Sequence, residues 1–159
     1  MKTLQYENLT AKQICMFENA FSFAKLSKCV SKQVGSVIVR DFRILSTGYN
    51  GVPKGYKNCC EVFPNYNKET DRQIHNLFSE KYEIHAEMNA MVWAAKNGIS
   101  IDNSDIYCTL QPCFNCTKNI IQSGIKNIYF MNRYDLMKDE KDLIDFIKEN
   151  NMGYYWVKL

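Results

Sequence analysis

The chain has 159 residues, 46% of them hydrophobic, which suits one globular domain with a sizeable core and little else. Its 20 basic and 17 acidic side chains leave a net charge of +3, too mild to argue for a nucleic-acid binder and equally suited to a small anionic substrate. No apolar run reaches membrane-spanning length, and the opening MKTLQYENLT lacks the apolar stretch of a signal peptide. Seven cysteines, an odd count, argue against a disulfide framework. Thiols in a reducing cytoplasm, some of them bound to metal, are expected instead.

Residues 10–28 read as a helix, with Thr10 as its cap and Ile14, Phe17, Phe21 and Ala24 as an apolar stripe. Two β-rich runs, 33–40 and 43–49, predict a hairpin, and Asn50-Gly51 with Pro53 and Gly55 ends its second strand. The polar and aromatic stretch 55–82 has weak periodicity. Its length demands a lid, an insertion or a cross-link, with a short helix near 71–78. Helices follow at 86–97, 113–123 and 139–150, and strands at 105–110, 125–131 and 154–159. The two strand–helix–strand passages imply parallel crossovers, and hence an α/β domain. The 10 tyrosines and 9 phenylalanines are expected mainly in the core and in subunit contacts.

Chemistry concentrates in His85-Ala86-Glu87 and Pro112-Cys113-Phe114-Asn115-Cys116. A catalytic zinc takes three protein ligands and keeps a fourth position for water, whose pKa it lowers. Cys113 and Cys116 share one side of a first helical turn, where the helix terminus favours thiolates. His85 opens the preceding helix and can approach from the facing element. Glu87, two residues on, is placed to carry a proton without serving as a ligand. A structural zinc knot with Cys108 as fourth thiolate, and a redox dithiol at Cys113 and Cys116, are the competing readings. His85 and Glu87 weigh against the dithiol, and the position of Cys108 within a strand weighs against the knot.

His-x-Glu followed by Pro-Cys-x-x-Cys is the known mark of the zinc deaminases. With Val34-Gly35, Ser46-Thr47-Gly48-Tyr49-Asn50-Gly51, Asn58-Cys59-Cys60, Ile84-His85-Ala86-Glu87-Met88-Asn89-Ala90, Cys108-Thr109-Leu110-Gln111 and Gln122-Ser123-Gly124-Ile125-Lys126, the chain closely resembles the deoxycytidylate deaminases of the cytidine deaminase superfamily over residues 10–135. The Gly-Tyr-Asn-Gly stretch and Asn58-Cys59 point to that branch. The resemblance implies a three-layer cytidine-deaminase-like α/β fold with a five-stranded mixed sheet flanked by helices. It implies a single domain over 1–159 with a zinc-stapled insertion at about 55–83.

For the site, the resemblance implies that Asn50 holds the sugar hydroxyl, the backbone at Ala86 meets the base and Tyr134 closes over the nucleotide. It implies a second, structural zinc at Cys29, Cys59, His75 and Glu83, legitimate ligand types that would order the long segment. The alternative is that Cys59 and His75 are ordinary loop residues. It also implies a homo-oligomer, a hexamer by preference. Effector control by deoxycytidine triphosphate as activator and thymidine triphosphate as inhibitor, with Mg accompanying the triphosphate, would act at Gly48, Tyr49, Asn50 and Gly51. A glycine turn that merely places Asn50 is the simpler account of that stretch.

A nucleoside monophosphate needs cations at the pocket mouth. Lys25, Lys28, Lys54, Arg72, Lys118 and Arg133 are the candidates, with Arg133 preferred for its place beside Tyr134. The expected activity is hydrolysis of dCMP to dUMP with release of ammonia, in the cytoplasm. Rival readings are a dual dCMP/dCTP deaminase, a deaminase of transfer-RNA adenosine, which wants a more open and basic face, a deaminase of free cytidine, guanine or a pterin-like precursor, and a zinc-stabilised interaction module without activity.

Overall fold

A computed structural model describes residues 1–134, 137 and 139–158. The strands are β1 (Lys2–Gln5), β2 (Gly35–Arg40), β3 (Arg43–Tyr49), β4 (Asp105–Leu110), β5 (Asn127–Asn132) and β6 (Gly153–Lys158). The helices are α1 (Ala11–Ala24), the single turn α2 (Cys59–Val62), α3 (Lys68–Tyr82), α4 (Ala86–Lys96), α5 (Phe114–Gln122) and α6 (Glu140–Glu149). They build one mixed sheet in the order β1-β6-β5-β4-β2-β3. β4, β5, β6 and β1 run parallel, while β2 is antiparallel to both β3 and β4.

Strand alternation sorts the core into two faces. Ile38, Ile106, Cys108, Ile128 and Phe130 point to one side and meet Ala90 of α4, Ile120 of α5 and Leu143 of α6. Val37, Val39, Tyr107, Met131 and Val157 point to the other, where α1 lays Met16, Phe17 and Ala20 against them. The result is three layers, helix–sheet–helix. Burial of a side chain such as Phe17, 1% exposed, contributes about 1.5–3 kcal/mol. Tyr107, Tyr129 and Tyr155 stack across β4, β5 and β6 with ring centroids 4.7 Å apart.

The sheet has six strands, not the five expected. The added strand is β1, paired parallel to β6 with Lys2 opposite Tyr155. Its four residues show no alternation, and only Leu4 is partly buried. Edge pairing to a distant segment creates it, and local sequence carries no such signal.

The hairpin falls where expected, and so do the two parallel crossovers. α1 is shorter than the 10–28 reading, although Thr10 forms the cap, exchanging bonds with Gln13. Phe21 of the expected stripe is 37% exposed, its place taken by Met16 and Ala20. The short helix expected near 71–78 is the 15-residue α3. Asn67 accepts the Glu69 amide and Asp71 accepts the Asn67 amide, so capping starts it early. Its buried residues are His75 and Phe78, too few for an apolar period. Leu159, the last residue of the expected final strand, lies outside the described residues.

Candidate active site

Two short polypeptide connections converge beyond the carboxyl end of β4, where open α/β sheets commonly bind ligands. One runs from α3 into α4 and makes His85 the N-cap of α4. The other leaves β4 through Gln111 and Pro112 and makes Cys113 the N-cap of α5, with Cys116 in the first turn. His85 Nδ1 lies 3.5 Å from Cys113 Sγ and 3.4 Å from Cys116 Sγ. For nitrogen and sulfur on a tetrahedral zinc, ordinary bond lengths put these atoms about 3.6 Å apart, so the trio fits that ion. His85 is exposed, Cys113 half-buried and Cys116 buried, so the open side of the trio faces the pocket.

Both helix N-termini aim at this cluster and favour negative charge there. The hydrogen bond from Cys116 holds the Cys113 thiol down to about 4, with His85 adding to it against burial. Cys116 shares that proton and is raised. Its bond to Cys113 lifts the His85 imidazole to about 9, against burial. Cys108 is fully buried in the core, and desolvation pushes its thiol well up. It is packing, not a fourth ligand, so the structural-knot reading has no support here.

Glu87 is 3% exposed in the first turn of α4, on the wall of the same pocket. Burial pushes its carboxyl above the ordinary carboxylate range, opposed by the facing His85. A buried carboxyl beside a three-ligand metal position can both accept and return a proton.

The pocket, of about 150 Å³, is also lined by Asn50, Ala86, Gln111 and Tyr134. Asn50 is pinned by its side chain, which accepts from Val34 N (2.8 Å) and donates to Lys32 O (3.0 Å). Tyr134 is held by its amide, which donates to Gln111 Oε1 at 3.1 Å. Gln111 was given no role from sequence. A single buried amide has no periodicity to betray it, and only its place beside Pro112 could have drawn attention. Arg133 does not line this pocket; it pairs with Glu140 and lies over the Trp156 ring. Of the other cations considered, only Arg72 reaches the cavity, together with Lys32 and Lys68, which sequence reasoning had passed over.

The turn after β3 has structural work of its own. A Cβ on Gly48 would stand 2.1 Å from Ala86 O, so strand and α4 touch backbone to backbone. The Tyr49 carbonyl accepts from Asn89 at 2.8 Å. Gly51 and Ile84 exchange backbone bonds, tying the turn to the residue before His85.

A second cluster borders the same cavity. His75 Nε2 of α3 lies 3.4 Å from Cys29 Sγ and 3.3 Å from Cys59 Sγ, all three residues buried. Both sulfur–nitrogen distances again suit tetrahedral zinc. Burial pushes the Cys59 thiol up to about 12 and raises Cys29. Cys60, exposed, is not part of it. Glu83 is beside the cluster but its carboxylate is not within the same tight group. Its Oε2 accepts from Ser79 Oγ at 2.6 Å, while the buried Oε1 has no hydrogen-bond partner among the described residues. A buried acceptor without a donor, next to two thiols and an imidazole, is an environment that a cation relieves. Both histidines of the chain thus stand in metal-ligand clusters, and each would supply one ring nitrogen.

Comparison with known proteins agrees with this geometry. The family model for the cytidine and deoxycytidylate deaminase zinc-binding region matches residues 11–132. The deoxycytidylate deaminase of Enterobacteria phage T4 is 38% identical, over 80% of this chain and 81% of that one. Its counterpart from phage T2 is 36% identical, over 80% and 83%. The crystal structure of dCMP deaminase from cyanophage S-TIM5 in complex with dCMP and dUMP superposes with a TM-score of 0.73 and 30% identity, over 94% of this chain and all of that one. Agreement over most of both chains, in sequence and in fold, places this protein in the cytidine and deoxycytidylate deaminase family, as a zinc-dependent deaminase.

Proposed function

We propose that the chain hydrolyses dCMP to dUMP and ammonia, supplying the precursor for dTMP synthesis. The observation that carries this reading is Glu87, buried on the wall of the pocket that His85, Cys113 and Cys116 border. Zinc held by those three ligands supplies Lewis acidity and an acidified water. The chain does the rest. Glu87 takes a proton from the attacking water and hands it to the ring nitrogen N3 of cytosine. As the bond from C4 to the amine breaks, the second proton of that water leaves through the same carboxylate with ammonia.

In this reading Asn50 holds the sugar hydroxyl, the Ala86 backbone meets the base and Tyr134 covers the ring. Their support is that all three line the pocket. Cys29, Cys59 and His75, with Glu83 as fourth ligand, hold a structural zinc that staples the insertion at about 55–83 to the single domain. Regulation by dCTP and dTTP with Mg, acting at Gly48, Tyr49, Asn50 and Gly51 within a hexamer, belongs to the same reading. Its support is mechanical: Gly48 packs on α4 and Gly51 bonds to Ile84, so a ligand on exposed Tyr49 would bear on the segment that carries His85. A cytoplasmic location suits the free cysteines of both clusters. Among the described residues no helix is long and apolar enough to cross a membrane.

The test is ammonia release from a panel of cytosine nucleosides and their mono- and triphosphates, with and without added dCTP or dTTP. Fastest turnover on dCMP is expected. Turnover of adenosine in transfer RNA but of no cytosine nucleotide would overturn the assignment.

A further inference from the structure

The helix α3 turns a polar edge to the catalytic pocket. Lys68, Arg72 and Asn76 recur at four-residue spacing, followed by Ser79, and all line the cavity that also holds His85 and Glu87. Lys32 faces them from the segment before β2, its Nζ 5.0 Å from the centre of the Tyr134 ring. Arg72 acts on the same ring: it pulls down the Tyr134 hydroxyl, which burial raises. Among the described residues the ion pairs are Arg133–Glu140 and Lys148–Asp145. Lys32, Lys68 and Arg72 therefore converge on one cavity, and its two buried carboxylates, Glu83 and Glu87, are ion-paired with none of them. Like charges gathered in this way repel unless an anion sits between them. A phosphate monoester is such an anion, and a guanidinium fork is shaped to take two of its oxygens.

The same helix carries His75, one turn beyond Arg72 on an adjoining side. The cluster with Cys29 and Cys59 fixes the rotation of α3, and with it the direction in which Lys68 and Arg72 point. We propose that α3 is a phosphate clamp: Lys68 and Arg72, facing Lys32, take the 5′-phosphate of the substrate, and the Cys29–Cys59–His75 cluster sets the clamp, so that phosphate binding and metal retention at that cluster are linked. This rests on the deaminase reading above and adds to it the origin of the preference for a nucleotide over a nucleoside.

Linkage is reciprocal, which allows a test on the intact, metal-loaded protein. Binding of dUMP and of deoxyuridine is measured by calorimetry, and release of each metal equivalent to a chelator is followed with either ligand at saturation. Arg72→Ala is expected to weaken dUMP binding about 10- to 100-fold, the worth of charge-assisted hydrogen bonds, and to leave deoxyuridine within about twofold. Arg72→Lys should recover part of the loss. In the wild type, dUMP should slow release of the metal that His75→Ala removes, deoxyuridine should not, and the protection should vanish in Arg72→Ala. Equal weakening of both ligands by Arg72→Ala, or equal protection by both, overturns the clamp. A wild-type protein that binds neither ligand and deaminates no cytosine nucleotide overturns the deaminase reading instead.

Discussion

At the residue scale, the carboxyl of Glu87 and the missing side chain of Gly48 make opposite demands on one helix start. Glu87 is buried, and in the proposed reaction it must exchange protons from there. In Glu87→Gln the trio of ligands is untouched, so zinc content by elemental analysis should stay at the wild-type value. Turnover should fall about 10²- to 10⁴-fold, the usual contribution of a positioned acid–base group. Unchanged ammonia release in that variant would remove Glu87 from the proton path. Gly48 is silent chemically, but a methyl there meets Ala86 O at 2.1 Å and Ala90 N at 2.5 Å, backbone atoms that cannot swing aside. Gly48→Ala should cost about 1–3 kcal/mol in denaturant unfolding. It should also depress turnover beyond the loss of folded protein, because α4 must shift and His85 is its cap.

At the scale of elements, segment 55–83 has little buried apolar packing, and the proposed structural zinc would hold it. Among the described residues its buried apolar nucleus is Phe78 with Cys29 and Cys59, and Val30, Val52, Phe63 and Tyr82 pack against it partly buried. Replacing His75 by Ala should lower the metal content from two per chain to one and expose 55–83 to limited proteolysis, while the metal at His85, Cys113 and Cys116 stays. Two metals per chain in that variant would show that the cluster is not a metal site.

Much of this architecture was legible in the sequence. Zinc ligands betray themselves by residue type and spacing, because His85, Cys113 and Cys116 must reach one point from the starts of two helices. The hairpin and the parallel crossovers were legible through alternation and turn residues. What escaped was whatever tertiary contact alone decides. β1 exists only because β6 offers it an edge. α3 is long because Asn67 and Asp71 cap it, although its buried side holds a ligand instead of an apolar stripe. Arg133, attractive as a neighbour of Tyr134 in sequence, is turned to Glu140, while Lys32 and Lys68 reach the cavity from segments without a clear apolar period.

For the molecule as a whole, the buried tyrosines set an alkaline limit. Desolvation raises Tyr129 to about 12 and pushes Tyr107 and Tyr154 higher still. An unfolded tyrosine ionises near pH 10, so above that value the unfolded chain releases protons that the native one keeps. This part of the stability is whole below about pH 10 and drains away as the pH rises further. Denaturant midpoints measured against pH, with tyrosinate absorbance as the second probe, should fall together above that point. A midpoint that stays level while absorbance rises would mean that the rings ionise inside the fold. The pairing of β1 with β6 reaches further, into the order of assembly. Lys2 finds its place only opposite Tyr155. On a ribosome delivering about 5–20 residues per second, β1 is therefore made long before the strand it docks on. Until β6 emerges, the segment of β1 must be kept from pairing with strangers.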